Sequence, residues 1–155
     1  YNNLIKKFLK THSSKIIFEP GRSIIGSTGV LISKITYIKK TKNKIFVILD
    51  SAMNDFLRPA LYGAKHEILA TIKNKKKIIK TTEFVGPICE TTDTFLKLDN
   101  FQTVKEGDNI VILNTGAYGM SLSSNYNVRP MPTEILIKNK KISVILKRQK
   151  LSEII

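Results

Sequence analysis

The sequence of 155 residues has one cysteine, few arginines and no long apolar run. A single cysteine excludes an intrachain disulfide and any zinc site built from several cysteines, and it is consistent with a reducing compartment. The absence of 18 consecutive apolar residues excludes a membrane-spanning helix. The chain begins at Tyr1 and shows no secretory leader. We therefore predict a globular cytoplasmic protein, and we expect this chain to be part of a longer polypeptide.

The charge of the chain is strongly basic, with a formal net charge of +14. Such a charge invites a nucleic-acid interpretation. However, the many lysines cluster beside β-branched residues, and few aromatic residues that could stack on bases lie among them, as in 39–44, 73–77 and 138–141. Lysines at hairpin tips keep strand ends solvated, and we interpret these tracts as such tips. A basic nucleic-acid-binding β-domain, with steeply salt-dependent binding, stays a minor alternative.

Residues 1–28 carry the pattern of an α/β unit. Apolar residues recur at helical spacing in residues 1–12, and the short apolar run 15–18 leads into a Pro-Gly turn. A helix, a strand and a glycine loop are typical of the last repeat of a parallel α/β barrel. Because a lone unit of this kind cannot bury both of its faces, we predict that residues 1–28 are the end of an incomplete barrel.

Residues 29–155 predict a mainly β domain. Runs rich in Ile, Val, Thr and Tyr, separated by turn signals, indicate eight strands, at 30–38, 45–50, 66–73, 77–84, 94–98, 109–114, 133–138 and 142–147. Segment 52–62 predicts a helical turn or a loop, because Pro59 excludes a long helix. Strands at this spacing are typical of a β-sandwich or a β-barrel.

The turn Glu19-Pro20-Gly21-Arg22 is the first candidate binding motif. A glycine turn after a barrel strand can direct backbone N–H groups at a phosphate without interference from a Cβ. An ordinary surface turn is the alternative, and the Gly-Lys-Ser/Thr ending of a P-loop is absent. Because lysine supplies the general charge of this chain, an arginine at such a turn favours recognition of a specific oxyanion.

Two further motifs place charged or reactive groups in short turns. Arg58 and Tyr62 could both point at one ligand group, and a surface arginine beside a packed tyrosine is the alternative. Cys89 and Glu90 follow a Gly-Pro pair at a predicted strand end. A thiol with solvent access and a charged neighbour can act as an acid, whereas an isolated cysteine is more often a small buried hydrophobe.

Tyr118 lies in the loop Gly-Ala-Tyr-Gly, in which the glycines permit close approach to a ligand or to another backbone. A core tyrosine with a satisfied hydroxyl is the alternative. His12 and His66 match no metal-binding spacing, so we predict no metal site. We interpret Arg129 and its prolines as structural.

Five motifs in this order resemble the C-terminal portion of the alanine-racemase-like, pyridoxal-phosphate-dependent decarboxylases. They are Glu-Pro-Gly-Arg, Arg-Pro-x-x-Tyr-Gly-Ala, Gly-Pro-x-Cys-Glu-x-x-Asp, Gly-Ala-Tyr-Gly and Asn-x-Arg-Pro-x-Pro. The resemblance covers about residues 15–150. It implies a pyridoxal 5'-phosphate barrel followed by a β-rich domain, in a homodimer with active sites at the interface. It also implies that this chain alone is inactive, because the lysine that binds the cofactor covalently has no counterpart here.

The resemblance implies roles for the motif residues. Those that hold the cofactor phosphate are Glu19, Pro20, Gly21 and Arg22. Those that bind the non-reacting end of the substrate are Arg22, Arg58 and Tyr62, with Tyr118 near both cofactor and substrate. Cys89 and Glu90 are the residues that enter the active site of the partner subunit. There Cys89 is the proton donor, and Glu90 binds the distal ammonium of the substrate.

Within this family, the motifs favour the branch that decarboxylates meso-2,6-diaminopimelate to L-lysine in bacterial lysine biosynthesis. The distal end of that substrate is a complete amino acid, so its recognition requires cationic groups and an anion together. Arg22 and Arg58 meet the first requirement and Glu90 the second. Decarboxylases of the same family that act on ornithine, arginine or a carboxylated polyamine precursor remain the alternative, as does a non-catalytic subunit.

Overall fold

Eight strands form two separate sheets in the computed structural model, which describes residues 1–155. The strands are β1 (Leu31–Lys40), β2 (Lys44–Leu49), β3 (Ile68–Ala70), β4 (Thr81–Val85), β5 (Thr94–Leu98), β6 (Asn109–Ile112), β7 (Glu134–Lys138) and β8 (Lys141–Leu146). Each corresponds to one of the eight strands that the sequence predicts, and the mainly β fold class is therefore confirmed.

The larger sheet has six strands in the order β3-β6-β1-β2-β4-β5. The pair β2 and β4 is parallel, and the other neighbours are antiparallel. Strands β7 and β8 form a separate antiparallel hairpin. The lysine tracts at 39–44 and 138–141 lie at hairpin tips, as predicted. The tract at 73–77 does not, because it connects β3 at one edge of the sheet to β4 near the other.

The hydrophobic core lies on one face of the six-stranded sheet. Alternate side chains of the strands point to this face, as the two-residue period of a strand requires. Segment 52–57 covers it with Phe56, whose ring packs edge-on against His66. The core residues are Ile35, Val47, Leu49, Phe56, Ile68, Phe84, Phe95, Ile110 and Ile112.

The helices are short and lie outside the sheet. They are α1 (Asn2–Thr11), α2 (Arg22–Ile25) and α3 (Arg58–Tyr62), with 3-10 turns at Gly26–Thr28, Met120–Leu122, Tyr126–Val128 and Leu151–Glu153. None of the helices is long and apolar enough to cross a lipid bilayer. Helix α3 confirms the helical turn expected in segment 52–62, with Pro59 in its first turn, where a missing N–H costs nothing.

The strand expected at 15–18 is not formed in this chain. Residues 12–21 belong to neither a helix nor a strand. The backbone groups of residues 15–18 make no hydrogen bond within the chain. A strand requires a neighbouring backbone to pair with, and an apolar run alone does not supply one. The change from helical to strand structure occurs between Thr28 and Leu31, close to the predicted domain boundary. The assignment of residues 1–28 to a barrel stays a prediction.

Candidate functional site

Two glycines join the N-terminal segment to the loop that carries Tyr118. A Cβ on Gly29 would lie 2.5 Å from the Cα of Gly116, so neither position has room for a side chain. The N–H of Thr115 donates to the carbonyl of Gly29 over 2.9 Å, and the N–H of Gly116 donates to the carbonyl of Gly26 over 3.1 Å. Gly116 of this loop thus serves a close approach to another backbone segment, which is one of the two uses that the sequence suggests.

This junction brings Tyr118 beside the Pro-Gly turn of the first motif. A Cβ on Gly21 would lie 3.6 Å from the hydroxyl oxygen of Tyr118. The backbone of Tyr118 has a φ of +60°, a left-handed conformation that residues other than glycine seldom adopt. Such strain persists only where the surrounding structure imposes it, and it concentrates at functional sites. Tyr118 is half exposed, so its ring is accessible and the core-tyrosine alternative is wrong.

Helix α3 directs Arg58 toward the same place. The four-residue spacing puts Arg58 and Tyr62 on one face of the helix, which ends at Gly63 in a left-handed conformation. The guanidinium carbon of Arg58 lies 5.6 Å from the ring centroid of Tyr62 and 5.6 Å from that of Tyr118. Both distances are within the range of cation–π attraction. We call Arg58, Tyr62 and Tyr118 the arginine–tyrosine cluster.

The guanidinium of this cluster has no anionic partner in the chain. Arg58 is only 8% exposed, and its Nε is buried without a hydrogen-bond partner. None of the three ion pairs of the chain involves it. A buried charge without a partner is costly, so an anionic ligand at this position would recover a substantial part of that cost. Arg22 begins α2, is exposed and likewise forms no ion pair.

Cys89 and Glu90 lie in the loop between β4 and β5, residues 86–93, which we call the Cys89 loop. The cysteine is exposed, so the buried-hydrophobe alternative is wrong. Glu90 accepts a hydrogen bond of 2.5 Å from the hydroxyl of Tyr126. This interaction raises the pKa of the Tyr126 hydroxyl, because a proton shared with a carboxylate is harder to remove. No hydrogen bond or ion pair joins Cys89 or Glu90 to the arginine–tyrosine cluster within one chain.

The turn at residues 50–55 is held by Arg129, a contact that the sequence did not identify. The Nε of Arg129 donates to Asn54 Oδ1 over 3.0 Å, and its Nη2 donates to the carbonyl of Asp50 over 2.6 Å. The same guanidinium lies 3.6 Å from the Asp55 carboxylate. Burial raises the pKa of Asp55, and Arg129 acts in the opposite direction. Arg129 is therefore structural, as expected, but its partner Asn54 lies 75 residues away in the sequence, where no local signal reveals it.

The fold is that of the C-terminal sheet domain of the pyridoxal-dependent decarboxylases. Residues 6–116 match the family described as pyridoxal-dependent decarboxylase, C-terminal sheet domain. The chain belongs to this family, and the resemblance found in the sequence is confirmed.

Curated relatives and solved structures agree with this assignment. Diaminopimelate decarboxylase of Helicobacter pylori strain 26695 is 48% identical over 139 residues, which cover 90% of this chain and 34% of that protein. The crystal structure of the Helicobacter pylori enzyme complexed with L-lysine matches with a TM-score of 0.85 at 45% identity, over 97% of this chain and 36% of that one. The enzyme of M. jannaschii in co-complex with L-lysine matches with a TM-score of 0.86 at 33% identity, over 99% and 35%. The chain spans about a third of the length of these relatives.

Proposed function

We propose that this chain is the C-terminal part of a pyridoxal-phosphate-dependent decarboxylase that converts meso-2,6-diaminopimelate to L-lysine and carbon dioxide. In this proposal residues 1–28 complete the cofactor-binding barrel and residues 29–155 are the β-rich domain. The complete protein acts in the cytoplasm as a homodimer. One observation carries the proposal: a buried guanidinium without an anionic partner lies 5.6 Å from the centroids of two tyrosine rings, and the hydroxyl of one of these tyrosines lies beside a glycine turn.

The residues at the glycine turn fit a cofactor phosphate. Gly21 has no side chain to obstruct an approaching anion, and the exposed Arg22 at the start of α2 carries a free positive charge. The hydroxyl of Tyr118 faces this turn. In our proposal Glu19, Pro20, Gly21 and Arg22 hold the phosphate, and Tyr118 lies against the cofactor. When bound, pyridoxal phosphate supplies the electron sink that permits loss of the α-carboxylate.

The arginine–tyrosine cluster fits the distal carboxylate of the substrate. A guanidinium binds a carboxylate through two parallel N–H donors, and the guanidinium carbon of Arg58 lies 5.6 Å from the ring centroids of both Tyr62 and Tyr118. In this proposal Arg22, which is exposed at the start of α2, supplies a second cation. The distal ammonium requires an anion, which Glu90 of the partner subunit supplies in this proposal. A substrate that ends in a bare amine would leave Arg58 without a partner, which disfavours ornithine.

The Cys89 loop supplies the proton in this proposal. Both Cys89 and Glu90 are exposed on their own subunit, and neither forms a hydrogen bond or ion pair with the arginine–tyrosine cluster of the same chain. That arrangement suits a loop that works in the active site of the partner. There the thiol of Cys89 donates its proton to the substrate carbon that has lost its carboxylate.

The complete protein, loaded with pyridoxal phosphate, tests this function directly. We expect it to release carbon dioxide and form lysine from meso-diaminopimelate, with little release from ornithine or arginine. Arg58→Met should lower kcat/KM by roughly 10²-fold, because a charged ligand group then loses its buried partner. Lys141→Met, which removes an exposed cation at the start of β8, is the control and should leave the rate unchanged. A preference for ornithine, or an equal loss in both variants, would contradict the proposal.

A further inference from the structure

A single buried carboxylate holds the Cys89 loop in shape. Asp93 is 2% exposed. Its Oδ2 accepts a hydrogen bond of 2.8 Å from the N–H of Ile88, the residue directly before Cys89. Its Oδ1 accepts one of 2.7 Å from the N–H of Met53, in the turn at residues 50–55. Both oxygens are thus engaged by backbone donors, and neither is free for a ligand.

The backbone of the loop closes around this carboxylate. The N–H of Gly86 donates to the carbonyl of Asp93 over 2.9 Å, and the N–H of Asp93 donates to the carbonyl of Glu90 over 3.1 Å. A Cβ on Gly86 would lie 2.5 Å from the carboxylate carbon of Asp93. The glycine of the Gly-Pro pair is therefore required by the position of Asp93.

The bond to Met53 also connects the loop to the arginine–tyrosine cluster. Met53 lies five residues before Arg58, in the segment that leads into α3. The same segment is anchored on its other side by Arg129, through Asn54 and Asp55. A change at Asp93 would therefore act first on the backbone of the Cys89 loop, while Arg129 still anchors the segment before α3.

We propose that Asp93 is a positioning residue of the active site, which fixes the backbone that carries Cys89 and Glu90 in the conformation needed to enter the partner subunit. This inference rests on the proposed function for the roles of Cys89 and Glu90. It goes beyond that function, because Asp93 itself contacts no ligand. Asparagine at position 93 has one acceptor oxygen and a donor NH2 group, so it leaves one of the two backbone N–H groups without a partner.

A double-mutant cycle in the complete, cofactor-loaded enzyme tests the proposal. The variants are Asp93→Asn, Cys89→Ser and the double variant, assayed for kcat and KM. We expect Asp93→Asn to lower kcat by roughly 10-fold to 100-fold, the size of effect that misplacing a catalytic group produces. In the Cys89→Ser background, Asp93→Asn should lower kcat by about twofold or less, because Asp93 acts through the thiol of Cys89, which is already absent. An equal fold loss in both backgrounds would show a general structural role and overturn the proposal.

The reactivity of the thiol supplies a readout that does not depend on turnover. The rate of alkylation of Cys89, followed by mass spectrometry of its peptide, should rise in Asp93→Asn as the loop loses its fixed conformation. Asp108→Asn is the matched control: its carboxylate also accepts a backbone N–H, from Lys105, but it lies outside the site. An unchanged alkylation rate in Asp93→Asn would overturn the proposal. Should Cys89→Ser keep near-native kcat, the proposed acid role of Cys89 fails, and the alkylation rates still decide the role of Asp93.

Hydrogen exchange of the unmodified enzyme covers the case in which Asp93→Asn does not fold. We expect the amides of Ile88 and Met53 to exchange slowly although both lie in loops, because each donates to a buried carboxylate. Exchange at the rate of an open loop would overturn the proposal.

Discussion

The six-stranded sheet and the β7–β8 hairpin have similar amino-acid compositions, but many apolar side chains of the sheet are buried and nearly all side chains of the hairpin are exposed. Both are rich in isoleucine, valine and leucine. The sheet buries its apolar side chains in one core, whereas every residue of β8 is exposed. The hairpin joins the rest of the chain mainly at its base, where Gln149 bonds to Asn125 and Met131. The comparison teaches that β-branched runs specify strands, while burial depends on what lies opposite each face.

The largest expected difference between the two regions is the loss in free energy of unfolding when a large apolar side chain is replaced by alanine. Phe84→Ala in the sheet removes a fully buried ring and should lower the free energy of unfolding by about 3–5 kcal/mol. Ile137→Ala in the hairpin changes a side chain that is 70% exposed, and its effect should stay within about 0.5 kcal/mol. Urea denaturation of the 155-residue chain measures both. Similar losses in the two variants would break the comparison.

A substitution at the glycine junction should have an intermediate effect. Gly29→Ala forces a methyl group against the backbone of Gly116, and overpacking of this kind costs about 1–3 kcal/mol. Ser27→Ala, two residues earlier on an exposed position, serves as the control and should be nearly neutral. The measurement is again urea denaturation. If Gly29→Ala unfolds at the same urea concentration as Ser27→Ala, the backbone contact is looser than described.

The smallest expected effect concerns the charges on the sheet surface. Glu83 of β4 lies 2.7 Å from Lys44 Nζ and 3.3 Å from Lys97 Nζ. The hydrogen bond from Lys44 is the main cause that lowers the pKa of this carboxyl. The Glu83 contribution to stability is therefore complete above the ordinary pKa of a glutamate, and it is lost as the pH falls through the lowered value.

Glu83→Gln should remove the contribution of this carboxylate to the pH dependence of the free energy of unfolding. We expect a loss of about 0.2–1 kcal/mol at neutral pH, and a smaller difference from the unsubstituted chain as the pH falls below that window. Thermal unfolding across a pH series measures it. Glu134→Gln in the hairpin, where no ion pair involves the carboxylate, should not change the profile. A constant difference at all pH values would contradict the assignment of Glu83.

Much of the fold could be predicted from the sequence, because strands and turns depend on nearby residues. The eight runs of β-branched residues all became strands, and Pro59 marked the start of a short helix. The apolar run at 15–18 did not become a strand, because strand pairing requires a second backbone, which this chain does not place beside it. The order of the strands, with β4 parallel to β2, was not predictable from local patterns.

The candidate site was predictable as a set of motifs but not as an arrangement. The sequence identified Arg58 and Tyr62 in one motif and Tyr118 in another, and only the structure shows the guanidinium of Arg58 close to both rings. It identified the Gly-Pro-x-Cys-Glu motif, yet the role of Asp93 depends on the N–H of Met53, which lies 40 residues away.

By itself, the sequence determined the number and approximate positions of the strands and the family to which the chain belongs, because both depend on residues that are close together along the chain. Only the tertiary structure decided that Gly29 meets Gly116, that Arg58 is buried without an anionic partner, and that the apolar side chains of the hairpin stay exposed. These features depend on distant segments packed at contact distance, and the free energy of such contacts is set by geometry that no local pattern encodes.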